Sequence, residues 1–187
     1  MTAKILNLKN PDTYTGNIKL AADALLSGKI VAFPTETVYG LGVCSDNSAA
    51  IDNLYNVKQR SKDKRLSIMI AKPEEVTKHV KQIPLIAKKL ISAFWPGPLT
   101  IILELDDKST VGLRNPDNRV IRDLINAVEI PIASTSANIS GMAPAIDAQQ
   151  VITNFSDKID IVLDGGPAEA GSPSTIVKIC DGTFEII

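Results

Sequence analysis

The sequence is poor in the residues on which many catalytic and metal sites depend. Its 187 residues include one histidine, His79, and two cysteines, Cys44 and Cys180. A single histidine excludes every mechanism that needs two, and two distant cysteines without a C-x-x-C spacing suggest neither a zinc site nor a disulfide framework. The sequence therefore predicts no protein-ligated metal, and a nucleophilic triad would have to use His79.

Long hydrophobic runs and an excess of one charge are also missing. No apolar run reaches the roughly 18 residues of a membrane span, and the N-terminus has no signal-peptide h-region. The 20 lysines and arginines nearly balance the 21 acidic residues, for a net charge of −1. We therefore expect a cytoplasmic protein without membrane contact, in which any anion site is local.

What the sequence does contain is typical of one folded α/β domain over residues 1–187. Residues 18–25 have the apolar spacing of a helix and precede a buried strand at 30–33, and this alternation continues along the chain. Ser48 is expected to cap the second helix, and Pro84 precedes a predicted helix at 85–94. Two final strands flank the turn Asp181–Gly182. We predict a mixed sheet surrounded by helices.

The first unusual segment, 34–42, is predicted to be a loop after a buried strand. Thr35, Glu36 and Thr37 bring two hydroxyls and a carboxylate to the strand end, where binding sites are often built. Gly40 and Gly42 would let the backbone approach a ligand closely. The alternative is a turn whose threonine hydroxyls bind their own backbone.

The second segment, 58–65, places five cations and one carboxylate in eight residues of a nearly neutral protein. Lys58 continues the apolar stripe that includes Tyr55, so its side chain is predicted to point inward. Arg60 and Lys64 follow the helix end and could bind phosphate oxygens. The alternatives are a lysine that interacts with the helix dipole and a solvated run of charges.

The third segment, Ser134–Gly141, is crowded with hydroxyl and amide groups that can bind phosphate, ribose or an amino acid. A serine-rich surface turn is the alternative. A nucleophilic serine is less well supported, because the G-x-S-x-G motif is missing and His79 would have to act as the base. The sequence also contains neither a Walker loop nor a complete dinucleotide fingerprint.

These segments and two further motifs occur in the order FPTETVYGLG, KQRSKDKRL, FWPGPLTIIL, VGLRNP and STSANISG. In this order and spacing the chain resembles the YrdC-like family of threonylcarbamoyl-AMP synthases, from about Ile18 to Val177. The pairing of K-x-R with a later S-A-N is the family's signature. The length resembles that of the short, single-domain members.

The resemblance implies an enzyme that condenses L-threonine, bicarbonate and ATP into threonylcarbamoyl-AMP and pyrophosphate. Mg²⁺ would accompany the ATP. The product would be used for threonylcarbamoyladenosine modification of tRNA, so tRNA or tRNA-modification proteins are expected downstream. The implied fold is a twisted mixed sheet with helices around a positively charged concave surface.

The resemblance also implies roles for individual residues. It assigns catalysis to Lys58 and Arg60. ATP would contact Arg60, Lys64, Ser134, Ser136 and Asn138. Threonine would contact Thr37, Lys58, Arg114, Ser174 and Thr175.

The chain departs from the family pattern in two places. Ser61 and Arg65 stand where the family usually has prolines, and the sequence ends at Ile187 without the arginine that often follows the last strand. Two other functions remain open at this point. One is an RNA-binding module that uses the basic segment 58–65 for tRNA or double-stranded RNA. The other is a family member that acts on a different amine or carbamoyl donor.

Overall fold

The fold consists of helices packed on a sheet, in a computed structural model that describes residues 2–155, 157–180 and 182–187. The helices are α1 (Pro11–Leu26), α2 (Ser48–Lys58), a 3₁₀ helix (Pro73–Lys78), α3 (Leu85–Phe94), α4 (Arg119–Val128) and α5 (Ala148–Phe155). The strands are β1 (Lys4–Asn7), β2 (Val31–Phe33), β3 (Gly40–Cys44), β4 (Ser67–Met69), β5 (Leu99–Glu104), β6 (Thr110–Arg114), β7 (Ile132–Ser136), β8 (Ile161–Asp164), β9 (Thr175–Cys180) and β10 (Thr183–Ile186).

In the described part of the chain the strands form one ten-stranded sheet in the order β1-β8-β2-β3-β7-β4-β6-β5-β9-β10. Parallel and antiparallel pairs are mixed; for example, β4 runs parallel to β6 and antiparallel to β7. This confirms the predicted α/β class. The predicted final hairpin is present, with Cys180 opposite Thr183. Its turn includes Asp181, which lies outside the described residues.

Side-chain caps define where two of the helices begin. In α1, Asn10 accepts a hydrogen bond from the Asp12 backbone N–H, and Pro11 occupies the first turn. In α2, the Asn47 side chain accepts from the Ala50 backbone N–H at 3.0 Å. The prediction that Ser48 caps this helix is therefore wrong by one residue. The helix predicted at 85–94 is confirmed as α3.

The two faces of the sheet bury different hydrophobic clusters. On one face, α1 and α4 cover β1, β8, β2 and β3, where Phe33 packs with Leu25 and Ile121. On the other face, α2 and α5 pack over residues such as Leu41 and Val162. The α3 helix extends this second layer over β5, β6 and β9. None of the helices in the described ranges is long and apolar enough to span a membrane.

The segment 34–42 is not a loop throughout, because β3 begins at Gly40. The strand is paired on both sides, with β2 and with β7. An added Cβ would lie 2.7 Å from the Phe33 ring at Gly40 and 2.8 Å from it at Gly42. These glycines therefore make room for an aromatic core side chain. That they also let the backbone approach a ligand closely stays a prediction.

Candidate active site

A cleft lies over the middle strands of the sheet. It is on the same face that α1 and α4 cover at β1, β8, β2 and β3. In register, Ser134 of β7 lies opposite Ser67 of β4, and Ser67 lies opposite Gly112 of β6, so the three positions share this face. The charged residues of the described cleft lining are three arginines and no carboxylate. The lining consists of Thr35, Val38, Tyr39, Gly40, Arg60, Arg65, Ser67, Met69, Thr100, Arg114, Ser134, Thr135, Ser136, Pro173, Ser174 and Ile176.

The loop between β2 and β3 is held by its own threonine hydroxyls. Thr35 Oγ1 donates to the Val38 carbonyl at 2.6 Å and shares a hydrogen bond of 2.8 Å with Thr37 Oγ1. It also accepts from the Thr37 and Val38 backbone N–H groups at 3.2 and 3.3 Å. The alternative of a turn whose threonine hydroxyls bind their own backbone is therefore confirmed. The same turn fixes the Thr37 hydroxyl beside Arg114, so a turn in this segment is compatible with a binding site.

Arg114, at the end of β6, is fixed from two sides by this loop. Its Nη2 donates to Glu36 Oε1 at 2.8 Å and to Thr37 Oγ1 at 2.9 Å. The side chains of Arg114 and Glu36 are only 5% and 12% exposed. Within the described residues, Arg114 Nε and Glu36 Oε2 are buried without a hydrogen-bond partner. The guanidinium is thus oriented while part of its donor capacity is unused.

Lys58 is fully turned into the protein, as its place on the apolar stripe of α2 predicted. It is 1% exposed, and its Nζ donates to the Ser136 carbonyl and, at 3.3 Å, to Asn138 Oδ1. Burial, with a smaller contribution from the Arg60 charge, lowers the pKa of Lys58 from 10.5 to about 7. A lysine with this pKa carries a proton in about half of the molecules near neutral pH.

The turn after β7 is organised around Asn138. Its Oδ1 accepts from Ser136 Oγ at 2.5 Å and from Lys58, while its Nδ2 donates to the Met142 carbonyl at 2.7 Å. The structure therefore brings together Lys58, Ser136 and Asn138, which lie 80 residues apart at most in the chain. Ser134, one pleat away on the same face, is 1% exposed, and its Oγ has no partner among the described residues.

The basic segment divides into residues that line the cleft and residues that do not. Arg60 donates to the Lys64 and Arg65 carbonyls at 2.8 and 3.1 Å, and Arg65 donates to the Thr110 carbonyl at 2.5 Å. Both arginines line the cleft. Lys64 is exposed and outside the described lining; its carbonyl accepts from Arg60, and the contact of its ammonium group with ATP stays a prediction. Lys62 forms an exposed ion pair with Asp52.

The start of β9 closes the far side of the cleft. Ser174 lines it and shares a hydrogen bond of 3.1 Å with Thr100 of β5. Thr175 is exposed and pairs with Leu99. Because side chains alternate along a strand, Thr175 points to the opposite face from Ser174 and Ile176. The assignment of Thr175 to the site is therefore not supported by its position.

His79 lies apart from this cleft, at the end of the 3₁₀ helix. Burial lowers its pKa, and it borders a separate pocket with Lys81 and Asp106. A Ser-His arrangement at the cleft is thus excluded. In the described ranges, no three histidine, cysteine or acidic side chains are grouped closely enough to hold a metal ion.

Sequence reasoning missed Ser67, Thr100 and Arg65 as cleft residues and named Glu36 without its partner. The signal for Ser67 and Thr100 is a hydroxyl at one position of an otherwise apolar strand. That signal is weak without the strand order, because the order decides which hydroxyls face each other.

Comparison with known proteins agrees with this geometry. The Sua5/YciO/YrdC family model, described as "Telomere recombination", matches residues 23–187. The chain belongs to this family. It is 38% identical over 173 residues to the threonylcarbamoyl-AMP synthase of Pyrococcus abyssi, which covers 88% of this chain and 51% of the relative. The chain thus spans about half the length of that curated member of the Sua5/YciO/YrdC family.

Other members of the Sua5/YciO/YrdC family are similar over a larger share of their length or have solved structures. A Mycobacterium tuberculosis (strain H37Rv) protein is 34% identical over 187 residues, or 95% of this chain and 86% of its own. The crystal structure of P. abyssi Sua5 complexed with L-threonine superimposes with a TM-score of 0.90 at 34% identity, over all of this chain and 56% of that one. The predicted YrdC-like fold is confirmed.

Proposed function

We propose that this protein is a threonylcarbamoyl-AMP synthase, a nucleotidyltransferase that uses L-threonine, bicarbonate and ATP. The observation that carries the proposal is the cleft itself, whose described lining has three arginines, several hydroxyls and no carboxylate. Such a lining suits a ligand rich in phosphate and carboxylate oxygens. The activity named for the P. abyssi and Bacillus subtilis relatives supports the same function.

The reaction makes its own demands on this cleft. The amine of threonine and bicarbonate first join, with loss of water, to N-carboxythreonine. A carbamate oxygen then attacks the α-phosphorus of ATP, a new P–O bond forms, and the bond from that phosphorus to the oxygen it shares with the β-phosphate breaks. Pyrophosphate leaves with the bonding electron pair. Negative charge accumulates on phosphate oxygens, so positioned cations and hydrogen-bond donors can supply most of the catalysis. No histidine base is needed.

Different residues of the cleft would bind different parts of the substrates. Arg60, which is partly buried, and Arg65, which is exposed, would bind the phosphates. Arg114, fixed by Glu36 and Thr37, would bind the carboxylate or the carbamate of the amino acid. The remaining contacts come from hydroxyl and amide groups: we assign the nucleotide to Ser136 and Asn138 and the amino acid to Ser134 and Ser174.

Lys58 has a positioning role in this scheme. Its ammonium group donates to Ser136 and Asn138, so it acts through the turn that would bind the nucleotide. The resemblance implies a catalytic role for Lys58; the role proposed here is limited to positioning Ser136 and Asn138. Arg60 retains a direct role, because it lines the cleft.

Mg²⁺ would enter this site bound to the phosphates of ATP and would neutralise charge on pyrophosphate as it leaves. The described cleft lining offers no carboxylate for direct coordination, and the nearby Glu36 is occupied by Arg114. The residues therefore fit a metal that is carried by the nucleotide.

The product would be consumed by the proteins that modify tRNA, and the use of ATP and tRNA supports a cytoplasmic location. The RNA-binding alternative has weaker support. Arg60 and Arg65 donate to backbone carbonyls and Lys62 pairs with Asp52, so three of the five cations of the basic segment already have partners within the protein.

The test is pyrophosphate release by purified protein given ATP, Mg²⁺, labelled bicarbonate and L-threonine. Release should require threonine and bicarbonate, and the label should appear in an adenylate. Release without threonine would overturn the assignment. Tight, salt-sensitive binding of tRNA without any pyrophosphate would favour the RNA-binding alternative.

A pair of arginine variants connects the assay to the cleft. Arg114→Lys keeps a charge but loses the planar donors that contact Glu36 and Thr37, so activity should fall by about a hundredfold or more. Arg119→Lys is the matched control, because Arg119 is 77% exposed on α4. Equal activity of the two variants would exclude Arg114 from the site.

A further inference from the structure

Gly112 of β6 lies beside two residues of the cleft lining, Ser67 and Thr100. It lies opposite Ser67 in the sheet, and Ser67 lies opposite Ser134. Paired residues of neighbouring strands point to the same face. Because Ser67 and Ser134 line the cleft, a side chain at position 112 would point into it as well.

The fold itself does not require glycine at this position. Gly112 is not among the glycines with positive φ. An added Cβ would lie 3.7 Å from Ser67 Oγ, 3.7 Å from Thr100 Cγ2 and 3.8 Å from Ile102 Cγ1, all ordinary contact distances. A glycine inside a strand lowers stability, because it orders a flexible backbone and packs no side chain. The reason for Gly112 therefore lies in the space that it leaves open.

The neighbouring glycines of β3 show what a packing requirement looks like. At Gly40 an added Cβ would lie 2.7 Å from the Phe33 ring, and at Gly42 it would lie 2.5 Å from Ile132. Both positions are closed by core side chains. Gly112 differs from them, because its neighbours leave room for at least one carbon atom and two of them, Ser67 and Thr100, line the cleft.

The groups around this gap indicate what fills it. Ser67 contributes its hydroxyl and Thr100 its methyl group to this gap, and beyond Ser67 lies Ser134, whose Oγ has no partner in the part of the chain that the structure describes. A buried hydroxyl without a partner is unfavourable unless a ligand supplies one. Arg114 follows two residues later on the same face of β6 and is suited to a carboxylate. A short side chain with a hydroxyl group, next to a carboxylate, matches this arrangement.

We propose that Gly112 sets the size of the amino-acid side chain that the cleft accepts, by leaving the space beside Ser67 and Thr100 to a branched side chain with a hydroxyl group. The inference rests on the proposed function. It adds a specificity-determining residue whose only contribution is the volume that it leaves free.

The test compares Gly112→Ala with Gly16→Ala in the pyrophosphate assay, with L-threonine and L-serine as substrates. Gly16 is exposed in α1, and an added Cβ there meets nothing within 4 Å. Because a methyl group in a tight pocket changes discrimination by about tenfold or more, Gly112→Ala should raise KM for threonine by at least that factor. Serine, which lacks the methyl group, should be affected less, so the threonine-to-serine ratio of kcat/KM should fall by about tenfold.

Other measurements separate this role from a structural one. The melting temperature of Gly112→Ala should stay equal or rise, and its KM for ATP should change less than about twofold. Gly16→Ala should keep the wild-type selectivity. Unchanged selectivity in Gly112→Ala would overturn the inference while leaving the proposed function intact, and a large loss of melting temperature would overturn it in favour of a packing role. A wild-type protein inactive with threonine would refute the proposed function and, with it, this inference.

Discussion

The buried Lys58 should make the stability of this protein depend on pH in a way that one substitution removes. Its side chain is 1% exposed, and its pKa is lowered to about 7 from 10.5, chiefly by burial. In the unfolded chain Lys58 keeps its proton up to about pH 10.5. Between pH 7 and 10.5 the unfolded state therefore binds more protons than the folded state.

This difference fixes the sign and the size of the effect. Because the unfolded state binds more protons in that range, the free energy of unfolding rises with pH, by about 1.4 kcal/mol per pH unit at most. Below pH 7 both states are protonated, and the buried charge lowers stability by a constant amount. With pKa values about 3.5 apart, this amount is about 5 kcal/mol. From pH 6 to pH 9, stability should recover by about 3 kcal/mol.

Lys58→Met keeps an unbranched side chain of similar length and removes the titration. It also removes one donor from the Ser136 carbonyl and one from Asn138 Oδ1, which keep the Asn138 backbone N–H and Ser136 Oγ as donors, so each lost hydrogen bond costs about 1 kcal/mol. This second cost does not depend on pH. The free energy of unfolding of Lys58→Met minus that of the wild type should therefore fall by about 3 kcal/mol between pH 6 and pH 9, whatever the hydrogen bonds contribute.

The measurement is urea unfolding followed by circular dichroism at pH 6, 7, 8 and 9, on wild type, Lys58→Met and Lys62→Met. Lys62 is exposed and pairs with Asp52, so its substitution removes the same charge from the surface. The Lys62→Met curve should run parallel to wild type. A Lys58→Met curve that is also parallel to wild type would refute the reasoning, because it would mean that Lys58 keeps its proton in the folded state.

Three further substitutions have expected outcomes. Glu36→Gln removes the charge that balances buried Arg114, so the free energy of unfolding should fall by about 3 kcal/mol in urea titration, and an unchanged midpoint would argue against a buried ion pair. Asn138→Ala should weaken ATP binding about tenfold in calorimetry with little change in KM for threonine; the reverse pattern would move Asn138 to the amino-acid side. Gly42→Ala should lower stability by about 1–3 kcal/mol through its clash with Phe33, which a wild-type melting temperature would contradict.

The sequence predicted best where local chemistry decides the structure. Pro84 and the apolar spacing after it defined α3, and the register of Lys58 with Tyr55 predicted that Lys58 points inward. The failures occurred where distant parts of the chain decide. Gly40–Cys44 has a poor strand composition, yet it forms β3 because β2 and β7 pair with it on both sides and Phe33 needs the space of its glycines.

In the candidate site, too, the features set by local sequence were predicted and those set by distant parts of the chain were not. Its motifs could be read from the sequence, because each is a short segment at the end of an element. The floor could not, because Ser67, Gly112 and Thr100 face one another only through the strand order β7-β4-β6-β5. The unsupported assignment of Thr175 has a related cause. Ser174 and Thr175 are neighbours in the chain, but successive side chains of β9 point to opposite faces, and only Ser174 points toward the cleft.

The cations of the site differ in whether their charge is balanced before a ligand arrives, and this difference matches the roles proposed for them. Arg114 is balanced by Glu36, and burial lets Lys58 release its proton near neutral pH, so neither imposes a full buried charge on the fold. Arg60 and Arg65 are held by backbone carbonyls, which orient a guanidinium without cancelling its charge. The cleft thus keeps its unbalanced positive charge at the more exposed arginines, where the phosphates of ATP would bind, and its charge-balanced arginine, Arg114, beside the amino acid.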